Sequence, residues 1–184
     1  MRNRFGAIVT LTVSLLVCPS LQSPSQGAPT PKLVFSGNGL NVAHFGAHEP
    51  AVEKTMHRLL GRPTTPLSPT PALQNCGVSA KSSWHALSIY FDHEKLVGVS
   101  LGPGTEPVGQ TAAGLRLGYS LTRARELYGR TFRTSTNQSG AWFLKTSNGR
   151  LDGFLVPSTG LTPGPSSRIF TIDAGDVGCP AMSP

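Results

Sequence analysis

The stretch "FGAHEPAVEKTMHRLLGRP", Phe45 to Pro63, is a helix that carries its own terminator. Val52, Met56, Leu59 and Leu60 recur at i, i+4, i+7 and i+8, one apolar stripe of a 3.6-residue period, and such a stripe has to face a core. Pro50 is tolerated only in a first turn, so the helix is predicted to start near His48 or Glu49, and Gly61 and Pro63 end it. Glu49 and Glu53 lie early and Arg58 late, as the helix dipole favours. A copy about one turn shorter, "LGYSLTRARELYGRT", returns at Leu117 to Thr131. It has Ser120 as N-cap, Leu121, Ala124, Leu127 and Tyr128 as its stripe, and Gly129 as its stop.

The surroundings of the two helices repeat in order. Each follows a short extended segment opened by glycine, "GLNVAHFG" from Gly39 and "GLRLGYS" from Gly114, with Leu40 and Val42, or Leu115 and Leu117, alternating. The first helix leads into a Pro- and Thr-rich loop, "RPTTPLSPTPALQN", and then into "WHALSIYFDHEKLVGVSL" from Trp84. There Leu87, Ile89 and Phe91 alternate inward, Asp92 to Glu94 form a polar turn, and a strand returns through Val97 and Val99. The second helix leads into "AWFLKTSNGRLDGFLV", whose Asn148-Gly149 pair is the strongest two-residue hairpin signal in the chain. "RIFTIDAG" adds a last strand, with Ile169 and Thr171 on one face and Phe170 and Ile172 on the other. The expected fold class is α+β: two tandem α-β-β(-β) units with helices packed on antiparallel sheet, at 39–101 and 114–179, joined by a Gly- and Pro-rich linker at 102–113. Residues 28–38 are expected to be a flexible arm and 180–184 a tail.

Residues 1–27 have the form of a secretory signal. Arg2 and Arg4 precede the apolar run Gly6 to Val17, and Ser25 or Gly27 offers a cleavage point in the small-residue stretch that follows. The run is about a dozen residues, short of the roughly 18 to 20 needed to cross a bilayer, so no permanent transmembrane helix is expected in the mature chain. Cys18 after "LLV" raises the alternative of a lipid anchor, although Val17 stands where a small residue belongs and Pro19 follows. The expected location is secreted or cell envelope. The chain has a net charge of +7, and losing Arg2 and Arg4 leaves +5. With 38% apolar and 14% charged residues the composition is globular rather than disordered. After cleavage two cysteines remain, Cys76 and Cys179, and an oxidising compartment favours pairing them in a disulfide.

The order of glycine-opened segment, helix ending in "LGRP", loop and aromatic-led hairpin at Trp84 resembles uncharacterised exported proteins of actinobacteria. More distantly, over Gly39 to Ala174, it resembles the tandem α/β repeats of the β-lactamase-inhibitor-protein and outer-membrane-assembly lipoprotein type. That resemblance implies helices packed on a curved antiparallel sheet and action by binding proteins rather than by chemistry. The chain departs from the inhibitor pattern in its one pair of cysteines and its sparse aromatics, so no β-lactamase target is implied.

Sites of reaction chemistry are not written in the chain. His44, His48 and His57 fall on an entry segment and a polar helix face rather than at ligand spacing, and Asp92, His93 and Glu94 are a hairpin tip beyond His85. There is no Gly-x-Ser-x-Gly elbow, and "GNGLNVAHFG" lacks the lysine of a phosphate loop. No catalytic residue, metal or cofactor is therefore expected. The sharpest feature is a basic cluster, Arg116, Arg123, Arg125, Arg130 and Arg133, opposed within its span only by Glu126. It is a candidate anion-binding patch. Export removes nucleic acid as a partner and leaves an acidic protein patch, an acidic envelope polymer or an anionic lipid headgroup. The expected function is an exported non-catalytic binding protein; the alternative is a secreted hydrolase whose site is assembled from scattered residues.

Overall fold

Among the described residues the chain forms two α-helices and thirteen short strands. The computed structural model describes residues 33–104, 108–135, 140–156 and 163–178. In chain order the first half comprises β1 (Leu33–Ser36), β2 (Gly39–Leu40), β3 (Ala43–His44), α1 (Glu49–Leu60), β4 (Thr65–Pro69), β5 (Ala80–Trp84), β6 (Leu87–Asp92) and β7 (Lys95–Leu101). The second comprises β8 (Gly109–Thr111), α2 (Leu121–Tyr128), β9 (Phe132–Thr134), β10 (Ala141–Thr146), β11 (Gly149–Val156), β12 (Arg168–Ile169) and β13 (Ile172–Gly175). The fold is α+β and mostly sheet.

The large sheet has the order β4-β5-β6-β7-β13-β11-β10-β9, with β12 alongside β11. Its two halves run inward in the same sequence, each from the strand after its helix to its last strand. Those last strands, β7 and β13, pair antiparallel at the centre, with Ile172 opposite Leu101 and Ala174 opposite Val99. A small sheet, β3-β2-β1-β8, joins the halves a second time through the parallel pair β1 and β8. One continuous core results. Leu33, Phe35, Leu40, Val52, Met56, Leu121 and Ala124 from the small sheet and helices pack with Trp84, Ile89, Val99, Leu144, Leu151 and Ile172 from one face of the large sheet.

Helix α1 begins at Glu49 with Pro50 in its first turn and ends at Gly61, whose φ of 81° suits a residue without a Cβ. Trp84 Nε1 donates to the Gly61 carbonyl at 2.9 Å, pinning that helix end to the sheet. Helix α2 is capped by Ser120, whose side chain accepts from the Arg123 amide at 3.1 Å. Ser147 and Asn148 make the two-residue turn that closes β10 on β11, with Thr146 opposite Gly149, one residue earlier than the Asn148-Gly149 pair led one to expect. The small sheet rests on that turn: a Cβ at Gly37 would lie 2.4 Å from the Gly149 carbonyl carbon.

Several expectations are corrected. Trp84 ends β5 instead of opening a hairpin, and His85 with Ala86 makes the turn into β6, so the first half is a meander of four strands. The Pro- and Thr-rich loop contains edge strand β4 and a 3₁₀ turn, Pro71–Cys76. Val97 does not point inward. A bulge opposite Tyr90 and Phe91 hands the inward position to Leu96, and Val99 follows. The last strand is broken, because the Phe170 and Thr171 amides both turn to the Phe154 carbonyl, so Ile169 and Ile172 are both buried. The glycine-opened segment at Gly114 forms no strand, although Leu115 is buried and tied to Thr111. The arm expected at 28–38 carries β1, and the linker expected at 102–113 carries β8. The signal at 1–27, Cys18, Cys179 and the tail lie outside the described residues. Among the described residues, no helix is long and apolar enough to cross a membrane.

Candidate functional site

The face of the large sheet turned away from the core is polar, because every strand there alternates. One row of directly opposed residues crosses seven strands: Ser83, Ser88, Ser100, Asp173, Asp152, Phe143 and Arg133. A second row beside it runs from Lys81 and Tyr90 through Gly98 and Gly175, and Lys145 faces Arg150 on the same side of the β10–β11 hairpin. In the first row Ser83 and Asp173 are buried, Ser88, Ser100, Asp152 and Phe143 are half-buried, and Arg133 is exposed.

Asp173 sits at the central seam. Its carboxylate accepts from the hydroxyls of Ser100 and Thr171, the latter at 3.0 Å. Burial nevertheless dominates and lifts its pKa to about 6, with the Asp152 charge adding to the rise and the two hydroxyls opposing it. Burial raises Asp152 as well, offset by Arg150, whose Nε lies 3.6 Å from Asp152 Oδ1. Tyr90 is raised by burial.

At the far end of the same face lies an open cavity of about 910 Å³, lined by Arg130, Thr131, Arg133, Phe143, Lys145, Ser147 and Arg150 together with Thr146 and Gly149. Four cationic side chains and one aromatic ring thus line the same cavity. The Arg150 guanidinium stands 4.8 Å from the Phe143 ring centroid, a cation–π contact. This wall is built by strand alternation: Arg133 is paired with Phe143, and the two-residue turn sets Lys145 against Arg150. Chemically, the arrangement can hold an anion, with Phe143 offering an apolar floor.

The five arginines of the sequence-derived patch separate. Arg130 and Arg133 line the cavity. Arg116 donates through Nε to Gln110 Oε1 at 2.7 Å, and Arg123 pairs with Glu126 at 2.8 Å on exposed helix surface. Arg125 lies in the last turn of α2. Lys145 and Arg150 escaped the sequence reading, because a turn at Asn148-Gly149 would set Ser147 against Arg150, whereas the turn at Ser147-Asn148 sets Lys145 there. His57 lies 3.7 Å from Glu53 and meets Trp84 edge-on, while His93 bonds its neighbour Asp92 in the β6–β7 turn at 2.7 Å. Among the described residues, no group of three or more His, Cys, Asp or Glu side chains is placed to hold a metal ion.

No protein family matches the chain, and no curated protein matches it. A solved structure similar to it is that of the uncharacterized protein yfeY from Escherichia coli, at 9% identity and a TM-score of 0.41, covering 67% of this chain and 87% of that one. A likeness of that size carries nothing about function.

Proposed function

We propose that this chain is an exported, non-catalytic binding protein of the cell envelope or extracellular space, and that it recognises an anionic ligand in the cavity beside Phe143. The observation that carries the reading is the convergence of Arg130, Arg133, Lys145 and Arg150 on one cavity of about 910 Å³. Their charges come from three separate stretches of chain, and Asp152 is the acidic side chain paired with one of them, at 3.6 Å. Like charges gathered in this way repel one another, and an anion relieves that repulsion. The leader-like residues 1–27 support the export part of the reading. The resemblance to tandem repeats of the β-lactamase-inhibitor-protein type supports the choice of a binder over a hydrolase.

Retention on immobilised heparin, used as a generic polyanion, tests the proposal. Wild-type protein is expected to bind at low ionic strength and to elute as salt screens the contacts. The double variant Arg130→Glu/Arg133→Glu changes two exposed side chains and is expected to pass unretained with its fold intact by circular dichroism. Equal elution of the two proteins would overturn the reading.

A further inference from the structure

We infer that the outer edge of β9 takes up an extended acidic protein segment as an added strand, with its carboxylates in the basic cavity. This inference rests on the anion-binding reading above and names the class of ligand.

The two ends of the large sheet are built differently. The β4 end carries Pro66 and Pro69 and a register irregularity between Thr65 and Ser68, devices that spoil an edge for further pairing. The β9 end, Phe132–Thr134, contains no proline, and no described strand lies beyond it.

The ladder determines which groups face outward. The Ser135 amide donates to the Ala141 carbonyl, so the residue pairs bonded between β9 and β10 alternate from there through Arg133 and Phe143. Phe132 and Thr134, opposite Leu144 and Trp142, therefore turn their N–H and C=O groups away from β10, toward the open side. A strand added there would lie about 4.8 Å farther out. Its residues opposite Phe132 and Thr134 would exchange backbone bonds with them and point to the core side. Its residues opposite Arg133 would point to the cavity side, toward Arg130 and Arg133. Charge complementarity makes those residues Asp or Glu, in alternation with apolar ones. A polysaccharide or lipid headgroup could meet the same cations but has no amide ladder to offer this edge.

The test uses the purified protein and a capped nine-residue peptide of alternating Asp and Val, with binding followed by fluorescence anisotropy. Two derivatives separate the contributions: one N-methylated at the Val amides, which face β9, and one at the Asp amides, which face away. The parent peptide should bind. Methylation at Val should weaken it by about tenfold or more through the lost backbone bonds, and methylation at Asp should leave it within about twofold. In the protein, Thr134→Pro should abolish peptide binding and leave heparin retention unchanged; should that variant fail to fold, the methylated pair decides. If both derivatives bind alike, or if heparin is retained and the peptide does not bind, strand addition is overturned and the anion-binding reading survives. If neither heparin nor peptide binds, both fall.

Discussion

Asp173 shows how a single side chain ties the central seam to pH. Its folded pKa of about 6 exceeds the ordinary 3.8, so between those values the folded chain holds a proton that the unfolded chain has released. Stability therefore falls as pH rises through roughly 4 to 6, by up to about 3 kcal/mol if the whole difference is expressed. Asp152, raised by burial, adds a slope of the same sign. Urea denaturation at pH 4.5 and 7.5 should show the drop, and Asp173→Asn should remove most of it while remaining at least as stable as the parent at pH 7.5. An unchanged slope in that variant would show that the seam does not hold the proton. Trp84 is a second pivot, since its indole N–H satisfies the carbonyl of Gly61, the residue that caps α1, and its ring fills the core. Trp84→Phe should cost about 2 kcal/mol, seen as a lowered thermal midpoint, from an orphaned carbonyl and a void together.

Among the elements, those specified by neighbouring residues were legible in the sequence. Both helices, their glycine stops and the β10–β11 hairpin depend on spacings of a few residues; the helices and stops form where expected, and the hairpin turns one residue early, at Ser147-Asn148. Elements that exist because a distant strand offers bonds were not legible. Residues 109–111 become β8 only because β1 lies parallel to them, and β4 forms across two prolines because β5 offers an edge. The bulge opposite Tyr90 and Phe91 likewise swaps Val97 for Leu96 without a local signal. The cavity was half legible: Arg130 and Arg133 lay in a visible cluster, whereas Lys145 and Arg150 become its wall through hairpin register. The helix caps give a paired prediction. Ser120→Ala removes the α2 cap bond and should cost about 1 kcal/mol in urea titrations. The α1 N-cap, His48, makes no side-chain cap bond although its backbone is extended, with φ −68° and ψ 135°. His48→Ser should therefore gain up to about 1 kcal/mol, and a loss there would mean that the imidazole is needed for another contact.

At the scale of the molecule, two halves are sewn together by β7 with β13 and by β1 with β8, and the chain's end supplies a third stitch. After β13 the backbone crosses the polar face so closely over β7 that a Cβ at Gly98 would lie 1.9 Å from the Asp176 carbonyl oxygen. The Asp176 amide donates to the Val97 carbonyl at 2.8 Å. A Cβ on Gly77, the residue after Cys76, would lie 3.8 Å from Asp176 Oδ2. The chain thus comes to the neighbourhood of Cys76 three residues before Cys179, and this approach supports the proposed Cys76–Cys179 disulfide. The bond would close a loop of about 100 residues, for which chain entropy gives roughly 4 to 5 kcal/mol of stabilisation when the geometry is unstrained. Peptide mapping of protein secreted into an oxidising medium should recover those two cysteines in one non-reduced fragment. Reduction, or the double variant Cys76→Ser/Cys179→Ser, should lower the unfolding free energy from urea titrations by a comparable amount and loosen the crossing over Gly98 first, seen as faster hydrogen exchange at the Asp176 amide than at the Ala124 amide of α2. Equal stability with and without reductant would leave the seam of β7 and β13 and the pair of β1 and β8 as the connections that hold the halves.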